Sequence, residues 1–138
     1  MRILFIVVSV FWVTACYTQS VHFGLPSIKK KLHSGDLIII NIPNYTDGRF
    51  VQSAELDKLK EFFLLHSEVN FTLYIHIFGG SSEFCLNYSD FLSRGLNRQL
   101  GQENLIIEGK GNKVPLFQDE SSSEYLSWNS RIEIVVGK

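Results

Sequence analysis

The tightest constraint on this chain comes from the nine residues Asn70 to Phe78. Phe71, Leu73, Ile75 and Ile77 alternate with Thr72, Tyr74, His76 and Phe78. A period of two residues is that of a strand with one face buried. Such a strand needs a second layer over its apolar side. Helical periods supply it. Ser53 can cap a helix running to about His66, whose apolar stripe is Leu56, Leu59 and Phe63 with Asp57, Lys58, Lys60 and Glu61 on the other positions. A second helix is expected from Ser89, a capping residue followed by Asp90, with Leu92, Leu96 and Leu100 as its face and Gly101 closing it. The branched apolar run Asp36–Ile42, the segment Leu105–Glu108 and the segment Arg131–Val136 read as further strands. Pro43–Arg49 has turn chemistry, and Gly109–Trp128 reads as a long polar loop. The resulting order predicts an α+β fold, a β-α-β-α-β-β two-layer sandwich with two helices on one face of a mixed sheet.

Ahead of this pattern lies a segment of different character. Met1-Arg2 carries one positive charge, and Ile3–Val13 is an apolar run broken only by Ser9. Its 11 residues are too few to cross a hydrocarbon core, which takes about 20, but suit the core of a signal peptide. It ends in Val13-Thr14-Ala15-Cys16, which resembles a bacterial lipobox. Cleavage before Cys16 predicts a signal peptide over residues 1–15 and lipid on Cys16. The other reading is an ordinary secretory signal cut within Ala15–Ser20. Residues 16–34, with Gly24, Pro26 and the run Lys29-Lys30-Lys31, then read as a lipid-anchored tether, and residues 35–138 as the domain.

The usual catalytic patterns are missing from the sequence. His22, His33, His66 and His76 form no HExxH or Cys/His ligand spacing, and there is no GxSxG elbow. Gly109-Lys110-Gly111-Asn112-Lys113 lacks the spacing of a phosphate-binding loop. Two cysteines cannot form a disulfide scaffold, and Cys85 reads as a small core residue. A net charge of −1 argues against a nucleic-acid partner. The expectation is a protein with no enzymatic activity, no metal and no cofactor.

Several motifs are similar to those of the OmpA-like C-terminal domain of Gram-negative outer-membrane proteins and peptidoglycan-associated lipoproteins. Gly35–Ile42 resembles the first family strand and Ala54–Leu59 the first helix. Phe84 and Ser89 fit the Tyr and Ser of Y-N-x-x-L-S, and Leu96 and Leu100 fit the next helix positions. Leu105–Pro115 matches I-x-x-x-G-x-G-E-x-x-P, and Asn129–Ile134 matches N-R-R-V-E-I. The resemblance covers Ser34–Lys138 and implies the same β-α-β-α-β-β sandwich. It implies non-covalent binding of peptidoglycan from the periplasmic face of the outer membrane. In the family an aspartate of a G-H-T-D loop meets the amine of diaminopimelate, and an arginine of L-S-x-x-R-A pairs with its carboxylate, a geometry suited to a guanidinium fork.

The sequence departs from the family at those two residues. Ile77-Phe78-Gly79-Gly80 takes the place of G-H-T-D, so the aspartate position is Gly80, or Ser82 if Gly79 is the motif glycine. Leu92 stands at the arginine position, and Arg94 lies roughly 200° further round the helix. Losing two charge-assisted contacts of ~1.5–3 kcal/mol each weakens binding about 10²–10⁴-fold. Ser82, Glu83, Asn129 and Arg131 are the candidate substitute polar contacts. Two readings follow: an envelope module holding peptidoglycan by an altered groove, or a scaffold that docks another envelope protein. An open pocket with convergent polar groups marks the first. An exposed apolar patch of Leu92, Phe78 and Trp128 marks the second.

Overall fold

The computed structural model describes residues 19–47, 49–116 and 128–137. Cys16, the signal segment and residues 117–127 of the long loop lie outside the described residues. The elements are β1 (Val21–Phe23), β2 (Leu37–Ile40), β3 (Tyr45–Thr46), β4 (Arg49–Phe50), α1 (Ala54–Leu65), β5 (Phe71–His76), α2 (Ser82–Leu100), β6 (Leu105–Gly111) and β7 (Arg131–Val136). Five strands form one sheet in the order β1-β2-β7-β5-β6, and β3 and β4 form a separate hairpin. β1 runs parallel to β2 and β5 parallel to β6, while β7 is antiparallel to both its neighbours. The sheet is mixed, and the β-α-β-α-β-β order of the sequence reading holds from β2 onward with the hairpin inserted.

The core sits where the alternation requires it. Phe71, Leu73, Ile75 and Ile77 of the β5 segment meet Ile132, Ile134 and Val136 of β7 on one face. Leu56, Leu59, Phe62 and Phe63 of α1 and Cys85, Leu92, Leu96 and Leu100 of α2 cover that face. Each such side chain contributes about 1.5–3 kcal/mol by leaving water. Ser53 caps α1 by accepting from the Leu56 N–H at 3.3 Å.

Three sequence expectations change. First, α2 starts at Ser82, seven residues before Ser89. Its cap is Ser81, whose hydroxyl accepts from the Phe84 N–H at 3.1 Å, and Glu83 sits in the first turn where the helix dipole favours an acid. Ser89 is buried inside the helix, its hydroxyl donating to Leu86 O and accepting from the Gly111 N–H, both at 2.9 Å. Second, β6 runs on to Gly111, because Gly109 and Gly111 let α2 lie directly on the strand. A Cβ on Gly109 would stand 2.5 Å from the Asp90 nitrogen, and one on Gly111 3.0 Å from the Leu86 backbone. The G-x-G of the motif is thus a packing requirement. Third, the segment read as a tether contributes edge strand β1, and the segment read as a turn holds the β3–β4 hairpin. The buried Asp36 carboxylate fixes β1, accepting from the backbone N–H of Ser20 at 3.1 Å and of His33 at 2.9 Å. Gln99 of α2 fixes the hairpin. Its amide accepts from the Phe50 N–H at 2.8 Å and donates to Phe50 O at 2.9 Å, as a neighbouring strand would.

Candidate functional site

An open groove of about 450 Å³ lies between the β3 end of the hairpin, the end of β5 and the first turns of α2. Its volume falls within the range of small-ligand sites, ~300–1,000 Å³. Tyr45, Phe78, Phe84 and Tyr88 supply aromatic walls, and Asn41 and Ser130 supply polar groups. Ile42 and Ile77 also line it, and among the described residues no charged side chain does.

Each ring is placed by a different element. Phe84, Tyr88 and Phe91 recur at i, i+4 and i+7 along α2, a second stripe beside the buried one. Phe84 and Tyr88 stack with centroids 5.5 Å apart, and Tyr88 and Phe91 at 6.3 Å. Phe84 remains 52% exposed and Phe91 39%. Tyr45 arrives from the hairpin and meets Tyr88 edge-on at 5.7 Å. Burial first, then a hydrogen bond with Tyr88, pushes the Tyr45 phenol up to about 12, so it stays protonated and neutral at physiological pH. The Ser130 hydroxyl accepts from the Phe78 N–H at 3.0 Å, joining the end of β5 to the start of β7.

The residues nominated from sequence scatter around this groove. Gly80 lies at its edge, and a Cβ there would meet the Phe84 ring at 2.8 Å. The ring therefore occupies the space that a side chain at position 80 would need. Leu92 has no exposed surface and packs in the core with Leu96 and Leu100. Ser82 and Glu83 are exposed in the first turn of α2 and do not line the groove. Asn129 is buried, accepting from the Leu116 N–H at 2.8 Å through its side chain. Leu92, Phe78 and Trp128 form no common patch. Leu92 is internal, Phe78 lines the groove, and Trp128 packs edge-on against Phe23 at 5.8 Å. Nothing local in the sequence marks Tyr45, because the contact that places its hairpin spans 49 residues. The aromatic spacing 84/88/91 was the available signal for the other wall.

Arg131 belongs to a buried cluster on the sheet face away from the helices. It is 1% exposed. Its Nη1 donates to Asn129 O at 2.9 Å and its Nη2 to Val114 O at 3.1 Å. Its Nε donates to Glu133 Oε1 at 2.8 Å, and Nη2 pairs with the same oxygen. His76 lies opposite Arg131 in the strand register, and its Nε2 approaches Glu133 Oε2 at 3.4 Å, an ion-pair distance without an aligned hydrogen bond. The contact with His76 is the largest influence on the Glu133 carboxyl. Burial opposes it, Arg131 reinforces it, and the carboxyl ends below its usual range.

A second hollow of about 550 Å³ beside Arg49, Gly95, Arg98 and Gln99 is shaped by the Gln99 clamp on the hairpin. It carries charge where the described lining of the groove carries none, but neither arginine reaches that lining. Among the described residues no group of three His, Cys, Asp or Glu side chains is placed to hold a metal, and no helix is long and apolar enough to cross a membrane.

No family model and no curated protein sequence matches the chain. Solved structures do. A MotB-like protein from Desulfovibrio vulgaris matches with a TM-score of 0.54 and 24% identity, over 65% of this chain and 63% of that one. The chain thus spans less than two thirds of that protein. The peptidoglycan-associated lipoprotein of Burkholderia pseudomallei matches with a TM-score of 0.54 and 16% identity, over 71% of this chain and 88% of that one. The periplasmic domain of Helicobacter pylori MotB matches with a TM-score of 0.52 and 13% identity, over 79% and 80%. With the strand order, the two-helix layer and the G-x-G contact already in place, these likenesses identify the fold of this chain as that of a divergent OmpA-like domain.

Proposed function

We propose that the chain is a non-enzymatic module of the cell envelope that holds peptidoglycan through this groove. In this reading residues 1–15 are a signal peptide, lipid on Cys16 anchors the protein at the periplasmic face of the outer membrane, and residues 16–34 lead into the domain. Two or more acyl chains give a stable anchor where one gives only a marginal one. The observation that carries the reading is the groove itself. It is open and lined by the neutral polar residues Asn41, Ser130 and Tyr45, while Gly80 and Leu92 stand at the positions of the acid and the arginine. The second reading, docking of an envelope protein, is favoured by the exposed rings of Phe84 and Phe91.

Co-sedimentation of the detergent-solubilised full chain with purified peptidoglycan tests the proposal. The chain is expected in the pellet. A chain that stays in the supernatant sinks the proposal in favour of a protein partner. Metabolic labelling with an alkyne fatty acid tests the anchor: label is expected on the wild type and absent from Cys16→Ala.

A further inference from the structure

We infer that the β1 edge of the domain seats on the anionic phospholipid leaflet that holds the acyl chains of Cys16; this rests on the lipid anchor proposed above. Cys16 and Val21 are five residues apart in the chain. An extended chain spans at most ~3.6 Å per residue, so the anchor lies within about 18 Å of the first sheet strand. The headgroup layer on one side of a bilayer takes up about 5–8 Å of that reach. Lipid on Cys16 therefore holds the folded domain against the membrane, where a long tether would let it stand off.

What this edge presents suits such a surface. β1 is an edge strand of the described sheet, and its Val21 and Phe23 are 51% and 61% exposed. Ile28, on the return from β1 to β2, is also exposed and leads directly into Lys29, Lys30 and Lys31, all three exposed. Lys30 Nζ stands 3.4 Å from His22 Nδ1, which keeps the basic run beside the strand. Glu61 lines a hollow with Lys29 and Lys58, one acid to two bases. Anionic lipid attracts lysines at its surface, and a basic run beside an acyl chain is a general second signal for stable anchoring. The described lining of the groove includes none of the edge residues, so the protein can meet membrane and peptidoglycan at the same time.

The test places a fluorophore on a new cysteine of the full lipid-anchored protein, in vesicles of anionic phospholipid that carry a nitroxide on the headgroup. Cys85 is buried and Cys16 carries the lipid, so the dye reports the chosen position. Dye on Ser27→Cys, in the exposed return from β1, is expected to be strongly quenched. Dye on Ser82→Cys, exposed in the first turn of α2, is expected to be quenched weakly. Zwitterionic vesicles, or Lys29→Gln, Lys30→Gln and Lys31→Gln combined, are expected to lower the ratio of seated to unseated protein about 10²-fold. Quenching at Ser27→Cys then falls to the level of Ser82→Cys. Equal quenching at the two positions in anionic vesicles, or quenching that neither change alters, overturns the inference. With fatty-acid label present on Cys16, such a result leaves the anchor standing and removes the seat alone. No fatty-acid label on Cys16 overturns both.

Discussion

The groove and the ionic cluster are built from neighbouring stretches of the same two strands. Phe78 and Ser130 line the groove, while His76 and Arg131, close by along the chain, enter the cluster with Glu133. The groove holds rings and neutral polar groups and opens to solvent. The cluster holds charge and is almost sealed from it. The difference lies in how each polar group is satisfied. A buried charge persists only when its partners are built in. Arg131 has them in Glu133, Asn129 O and Val114 O, so its donors are committed to holding the strand end and the following loop. Asn41 at the groove is exposed and can exchange its water for a ligand. Charge in the cluster is therefore structural, while the described residues that line the groove are uncharged.

The sharpest way to break that contrast is Arg131→Ala. It leaves Glu133 with His76 alone and two carbonyls without their donor, and a loss of about 3–5 kcal/mol is expected in urea unfolding. A loss below about 1 kcal/mol would show the cluster to be dispensable. Gln99→Ala removes both side-chain bonds to Phe50 and should cost about 1–2 kcal/mol. Because the hairpin then loosens, the Tyr45 phenol should fall from about 12 towards the ordinary 10.0 in an ultraviolet titration.

The cluster also makes a pH prediction. The Glu133 carboxyl is lowered from 4.5 in the folded chain, so around and below that pH the unfolded chain binds more protons. Its contribution to stability is present above pH 4.5 and is lost as pH falls through the lowered value. Urea midpoints measured across this window should fall with acidification in the wild type and fall less in Glu133→Gln. The smallest effect is expected at the groove rim. Phe91→Ala, at a 39% exposed ring, should change the melting free energy by no more than about 0.5 kcal/mol.

Legibility in the sequence followed the range of the forces involved. β7 was read at its observed limits, Arg131–Val136, because alternation is local. The start of α2 was misplaced because two serines offer the same capping chemistry. Ser81 caps, whereas Ser89 is held inside the helix by the Gly111 N–H, a contact 22 residues away. Gly80 and Leu92 were found by motif spacing, but whether Leu92 faces ligand or core is decided by how α2 rolls on β6, which Gly109 and Gly111 control. From sequence Asn129 and Arg131 read as candidate groove contacts, with Arg131 alternatively a structural charge at a strand start; the partners that put Arg131 in the ionic cluster are tertiary facts. β1 was missed because three residues between Gly24 and an unpatterned stretch carry too little period to register.

The strand order has a consequence for biosynthesis. β7 lies between β2 and β5, so among the described strands the sheet's two halves, β1–β2 and β5–β6, meet only through a strand made after all of them. A nascent chain that has reached Gly111 owns both helices and four of the five sheet strands, yet has no edge to edge pairing between its halves. Closing the sheet is then a long-range event, slow relative to the helices and their local contacts. A ribosome-bound chain of this topology stays open until translation of residues 131–136 is complete, and any machinery that must handle it unfolded has that whole interval in which to act.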